Sequence, residues 1–89
     1  MTDPNINNLN PSTIVVYSTP WCADSKRSKA LLDSHKIKYL DVDIGKNMDS
    51  YFFIEKLMRK VRVPTIIFPD GTVLLEPDNE YLSLKLGIS

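Results

Sequence analysis

The chain has 89 residues, 43% hydrophobic and 25% charged, with 11 Lys and Arg balanced by 11 Asp and Glu, which suits one small domain with a single core. Zero formal net charge and the absence of a basic stripe or like-charge block speak against a nucleic-acid partner. A single cysteine excludes an internally disulfide-stapled secreted domain.

Met1 to Ser12 is polar and aperiodic, with four Asn and two Pro. It is expected to be a flexible tail outside the fold, leaving residues 13–89 as one domain. It has no basic segment followed by an apolar run, and no apolar run in the chain approaches membrane-spanning length. A cytoplasmic protein with no membrane partner is therefore expected. Thr13 to Tyr17 is a nearly continuous β-branched run, the pattern of a central strand covered on both faces. Pro20 stops it, and Trp21-Cys22-Ala23-Asp24-Ser25 follows.

From Ala23 to His35 the pattern is helical, with Ala23, Arg27, Ala30, Leu31 and Ser34 on the predicted inner face and Lys26, Lys29 and Asp33 outside. Cys22 therefore stands at a strand-to-helix junction. There the free N–H groups of the helix and the positive end of its dipole favour a thiolate, the form that attacks disulfides or binds soft metals. His35 lies a full helix away and suits the helix C-terminus better than a Cys–His pair.

Ile37 to Ile44 reads as a second strand at an edge, with Lys38, Asp41 and Asp43 interleaved. Asp41 and Asp43 share one face, but no third ligand is near in sequence, so no metal site is expected. Asn47 or Asp49 caps the next helix, whose Ile54, Leu57, Met58 and Val61 form a core stripe. Arg59, Lys60 and Arg62 make a cationic end before Val63-Pro64. Thr65–Phe68 and Thr72–Leu75, joined across Pro69-Asp70-Gly71, predict an antiparallel hairpin. Asp78 or Asn79 caps a last helix, Glu80 to Leu86, closed by Gly87. The order is β-α-β-α-β-β-α, and its first two strands are predicted to be parallel with a right-handed crossover.

Tyr17-Ser18-Thr19-Pro20-Trp21-Cys22-Ala23-Asp24-Ser25, then Val63-Pro64-Thr65, Asp70-Gly71 and Asp78-Asn79, occur in an order that resembles the thioredoxin fold and, more closely, glutaredoxins. Trp21 and the Pro77-containing segment look most like the bacterial glutaredoxin-like branch that includes mycoredoxins. The resemblance implies an α/β fold, a four-stranded mixed sheet with three helices. It also implies a cis Pro64 packed against the active-site thiol, with Val63 offering backbone hydrogen bonds to a bound small thiol. Trp21, Lys60, Val63, Pro64, Asp78 and Asn79 are the implied substrate-binding residues, Lys60 meeting a terminal carboxylate and Asp78-Asn79 a γ-glutamyl end.

Two departures from the family pattern stand out. Ser25 occupies the resolving-cysteine position, through natural sequence or replacement, so no internal disulfide can form. Leu75-Glu76 replaces the usual Gly-Gly, adding bulk and charge where a carboxylate-bearing thiol would lie. The implied function is a monothiol oxidoreductase that resolves protein mixed disulfides through Cys22, with glutathione or a mycothiol-type thiol as co-substrate and no bound cofactor. The expected state is a monomer. The alternative is an iron–sulfur carrier dimer ligated by Cys22 and glutathione. A third reading is a binding module in which Cys22 is inert.

Overall fold

β1 (Ile14–Ser18) is the hub, and the computed structural model, which describes residues 4–88, surrounds it with the remaining elements. It pairs in parallel with β2 (Tyr39–Asp43) and antiparallel with β3 (Thr65–Ile67), which pairs antiparallel with β4 (Val73–Leu75). The sheet order is β2-β1-β3-β4. Among the described residues three helices pack on this sheet: α1 (Ala23–Ser34), α2 (Met48–Met58) and α3 (Asn79–Leu86). This is the four-stranded mixed α/β sheet with three helices that the sequence pattern implies.

Strand alternation divides the core into two layers. Val15, Tyr17 and Ile67 face Ile54 of α2, together with Val42 and Ile44. Val16, Ile66 and Leu74 face Leu32 of α1 and Leu82 of α3, together with Phe68. Val15, Val16 and Tyr17 are fully buried, which is why the start of the chain reads as an unbroken apolar run. Each large aliphatic side chain buried in this way stabilises the fold by roughly 1.5–3 kcal/mol.

α1 turns a different face inward from the one its spacing predicts. Ser25, Ser28 and Leu32 are buried, whereas Ala23, Arg27, Ala30 and Ser34 are exposed. Two of the three inward positions are serines, so a search for apolar residues selects the wrong stripe. Leu31 does pack at the edge of the second layer. Lys29, predicted to face outward, reaches Asp41 at 3.0 Å and the Ser18 hydroxyl at 3.3 Å. That ion pair lies at the sheet edge and explains Asp41, while Asp43 accepts the Gly45 N–H at 2.8 Å in the following turn. His35 forms the C-cap of α1.

α2 ends earlier than its stripe suggests. Arg59 adopts φ 64° and donates its N–H to the Glu55 carbonyl, a left-handed C-cap. Val61 therefore lies in a loop, where it still packs on the first layer beside Leu57. Asn47 caps the other end, its side chain accepting from Ser50 N–H at 3.1 Å. Asp78 does the same for α3, accepting from Tyr81 N–H at 2.8 Å, and Gly87 closes that helix at φ 72°.

Residues 4–12, expected to stand outside the fold, make contacts with it. Ile6 packs on the first core layer and Pro11 is buried. Asn7 N–H donates to the Tyr17 hydroxyl at 2.7 Å. Burial holds that hydroxyl above its ordinary pKa, and the bond from Asn7 opposes the shift. The reason is local: Tyr17 is wholly inside, and a buried hydroxyl needs a partner. Residues 1–3 of the expected tail, and Ser89, lie outside the described residues.

Candidate active site

Cys22 is the N-cap of α1, with φ −83° and ψ 118°, and its carbonyl accepts the Lys26 N–H at 3.1 Å. An extended residue at this position follows from the turn that brings the chain out of β1 past Pro20. The N–H of Cys22 closes that turn on the Thr19 carbonyl at 3.3 Å. Its thiol is partly exposed and donates to the Val63 carbonyl at 3.6 Å. The Val63–Pro64 peptide is cis, and Pro64 is buried. Residues far apart in sequence, Cys22 and Val63-Pro64, thus meet at the ends of neighbouring strands β1 and β3.

One turn along α1, Ser25 is fully buried and its Oγ has no hydrogen-bond partner. A hydroxyl in such a place bears an uncompensated desolvation cost. A thiol, a weaker donor and acceptor that behaves as a small hydrophobe, would suffer much less there.

On the α2 side of Cys22 lies a cavity of about 350 Å³. Its walls include Trp21, Ile44, Tyr51, Val61 and Val63, with Thr19 and Gly45 at the loops. Trp21 is 75% exposed. Its indole passes over Gly45, where an added Cβ would stand 3.5 Å from the ring and 3.1 Å from Asp43 Oδ1.

The side toward β4 and α3 is charged. Arg62 binds Glu76 at 2.9 Å. Glu76 donates its N–H to the Pro64 carbonyl at 2.8 Å while holding φ 45°, a left-handed conformation that favours glycine. Asp78 is exposed and caps α3, with Asn79 beside it as the first helical residue. Lys60 is exposed in the loop between α2 and β3 and does not line the cavity.

Of the residues singled out from sequence, Trp21, Cys22, Val63 and Pro64 come together directly. Ser25 sits behind Cys22 in the core. Sequence reasoning missed the walls supplied by Thr19, Ile44, Gly45, Tyr51 and Val61, and it missed the Arg62–Glu76 pair. One signal was available: Val61 is a lone aliphatic residue among Arg59, Lys60 and Arg62. Among the described residues, no three or more His, Cys, Asp and Glu side chains gather into a metal-binding group. No helix there is long and apolar enough to cross a membrane.

Comparison with known proteins decides the family, because a glutaredoxin family model matches residues 14–74, from β1 into β4. The chain belongs to the glutaredoxin family. It is similar to the protein named "Putative glutaredoxin Rv3198A" of Mycobacterium tuberculosis (strain ATCC 25618 / H37Rv), at 33% identity over 76 residues, 84% of this chain and 90% of that protein. Among solved structures, the thioredoxin-like protein BC3987 superposes with a TM-score of 0.71 at 24% identity, covering 80% of this chain and 96% of the other. Glutaredoxin C1 from Populus tremula x tremuloides does so with a TM-score of 0.67 at 18% identity, over 89% and 78% of the two chains. Those two likenesses concern the fold. The family and the fold together make thiol–disulfide oxidoreduction the type of chemistry for this glutaredoxin.

Proposed function

We propose that this glutaredoxin resolves mixed disulfides between proteins and a low-molecular-weight thiol through Cys22 alone, as a cytoplasmic monomer. The observation that carries the reading is the placement of its single cysteine. Cys22 caps α1 with its thiol 3.6 Å from the Val63 carbonyl at the cis Val63–Pro64 bond, while Ser25 fills the buried position one turn on. Attack on a disulfide requires the thiolate form of this cysteine.

In the first step Cys22 thiolate attacks the small-thiol sulfur of the mixed disulfide. A new S–S bond forms to Cys22, the old one breaks, and the protein thiolate leaves and takes a proton from solvent. A second small thiol, as thiolate, then attacks the sulfur of the small thiol held on Cys22. This releases the oxidised small-thiol dimer and returns Cys22 thiolate. The small thiol already oxidised in the mixed disulfide leaves joined to the one from solution, so one solution thiol is oxidised and one protein cysteine is reduced. Val63 offers its backbone to the bound small thiol, Pro64 shapes the floor, and Asp78 and Asn79 receive its polar end. Lys60 supplies a cation at the rim.

Ser25 fixes the route. Restoring a thiol there (Ser25→Cys) puts two cysteines one helical turn apart, within the Cα separation of about 4.4–6.8 Å that disulfides use. The test compares insulin reduction with removal of glutathione or mycothiol from a protein, for the parent and for Ser25→Cys. The parent is expected to act on the mixed disulfides alone, and the variant to reduce insulin as well. Equal insulin reduction by both forms would refute the single-thiol route.

A further inference from the structure

Where β4 ends, a backbone conformation that suits glycine holds a charged residue. Glu76 has φ 45° and donates its N–H to the Pro64 carbonyl at 2.8 Å. It therefore stands beside the Val63-Pro64 pair that the Cys22 thiol meets. Its carboxylate binds Arg62 at 2.9 Å, and the Arg62 carbonyl is fixed by the Thr65 hydroxyl, which donates to it at 2.6 Å. We propose that the Arg62–Glu76 pair determines which small thiol is used: one whose end on the β4–α3 flank donates hydrogen bonds and carries no carboxylate. The proposal rests on the reading of Cys22 as the exchanging thiol, and it names the class of thiol exchanged.

Charge supplies the reason. Glu76, Asp78 and Glu80 alternate along this short stretch of chain. A carboxylate arriving here meets acceptors like itself, because an ionised carboxylate has no proton to give, and like charges brought together oppose binding. Arg62 could offset them, but Glu76 occupies it. Lys85, the one cation of α3, is turned to Asp70 at 2.5 Å. Asp78 gives only its Oδ1 to the helix cap, so its second oxygen still accepts. An ammonium or a hydroxyl matches such a surface.

The backbone agrees. A left-handed φ at Glu76 costs what glycine would avoid, and the ion pair it makes is exposed, at 47% for Arg62 and 35% for Glu76, where such pairs add little stability. A residue that strains the chain beside a reactive group, and adds little to folding, fits a role in recognition. Discrimination of this kind works by repelling the wrong ligand as much as by attracting the right one.

Glutathione is a suitable probe because its carboxylates stand at opposite ends. Its ammonium suits the acidic flank, which brings the neighbouring glutamyl carboxylate against Glu76, while the glycine carboxylate lies away from it. One peptide is prepared as its mixed disulfide with glutathione, with glutathione amidated at the glutamyl α-carboxylate, and with glutathione amidated at glycine. Each thiol also serves as the reductant, and catalysed rates are divided by the uncatalysed rate with that thiol. The glutamyl amide is expected to exceed glutathione about tenfold in kcat/KM, mainly through KM, the part of a like-charge repulsion that solvent screening leaves at an exposed site. The glycine amide is expected to show no such gain. Glu76→Gln keeps the length of the side chain and frees Arg62, and it is expected to bring the ratio below about threefold by speeding glutathione.

Binding without exchange is read in Cys22→Ser, from the backbone N–H signals of Val63 and Glu76 as the S-methylated thiols are titrated in. The S-methylated glutamyl amide is expected to bind about tenfold more tightly than S-methylglutathione. Equal normalised rates and equal binding for glutathione and its glutamyl amide overturn the assignment and leave the exchange reading standing. Tighter binding of the glutamyl amide, with no turnover of any mixed disulfide by the parent, overturns the exchange reading and keeps the assignment. An equal gain from the glycine amide also overturns the assignment, because the effect is then one of overall charge. So does a preference that survives intact in folded Glu76→Gln, and the series of three thiols on the unaltered protein stands whether or not that variant folds.

Discussion

The two flanks of Cys22 satisfy their chemistry in opposite ways. Toward β4 and α3 the surface is rich in charge, but much of that charge is already engaged. Arg62 holds Glu76, and an Asp78 oxygen holds the first turn of α3. Toward α2 no charge lines the cavity, and its aromatic wall has nothing over it among the described residues. Arg62 is free to meet a ligand only when it leaves Glu76, whereas Asp78 uses only its Oδ1 in the cap, and exposed apolar area gains on contact with any apolar group.

The largest effect should come from removing the atom that both flanks serve. Cys22→Ser is expected to abolish turnover of every mixed disulfide, measured as peptide or protein thiol released, because the hydroxyl does not replace the thiolate as nucleophile.

Glu76→Gly sharpens the comparison from the charged side. It frees Arg62 and removes a carboxylate, so the rate with glutathione should rise about tenfold, equivalent to roughly 1.4 kcal/mol. Arg62→Gln added to that variant should cancel the gain. Its stability should hold or rise slightly in urea titration, because relief of the left-handed backbone is worth roughly 1–2 kcal/mol against an exposed ion pair of about 0–1 kcal/mol.

Ser25→Ala tests the floor beneath both flanks. Removing a buried hydroxyl that has no partner should stabilise the fold by roughly 1 kcal/mol, read as a higher urea midpoint with an unchanged slope. A loss of stability would mean that the hydroxyl serves the fold.

The smallest effects are those of pH on groups away from the site, and they calibrate it. Lys85, with the N–H of Thr72, holds the Asp70 carboxyl well below the usual carboxylate range. A depressed carboxyl contributes stability that is present above about pH 4 and is lost as pH falls toward its folded value. Lys85→Met should flatten that acid limb. At the other extreme Tyr39 is pushed up to about 12, by burial first and then by Asp33. The folded state therefore keeps the proton that the unfolded chain loses near pH 10, and stability should fall between pH 10 and about 12. Tyr39→Phe should reduce that slope and leave the part that the raised Tyr17 contributes.

Much of the molecule was legible as local pattern. The unbroken apolar run of β1, the charges interleaved in β2, the Asp70-Gly71 turn and the Asp78 cap each reflect forces acting within a few residues. The juxtaposition of Cys22 with Val63-Pro64 came from a family resemblance, since no local rule joins residues 41 positions apart. The inner face of α1 was misread because burial there falls on Ser25 and Ser28, which no hydrophobic period reveals.

The sequence by itself therefore determined which segments become strands and helices and that one thiol stands before a helix. Only the tertiary structure decided what that thiol faces. Arg59 turns left-handed after Met58, which places Val61 in a cavity wall rather than on a helix stripe. Glu76 takes a glycine-like conformation and engages Arg62. Both outcomes depend on which distant surfaces meet once β1 and β3 are paired. Backbone propensity acts over a turn, whereas the environment of a side chain is set by packing across the whole sheet.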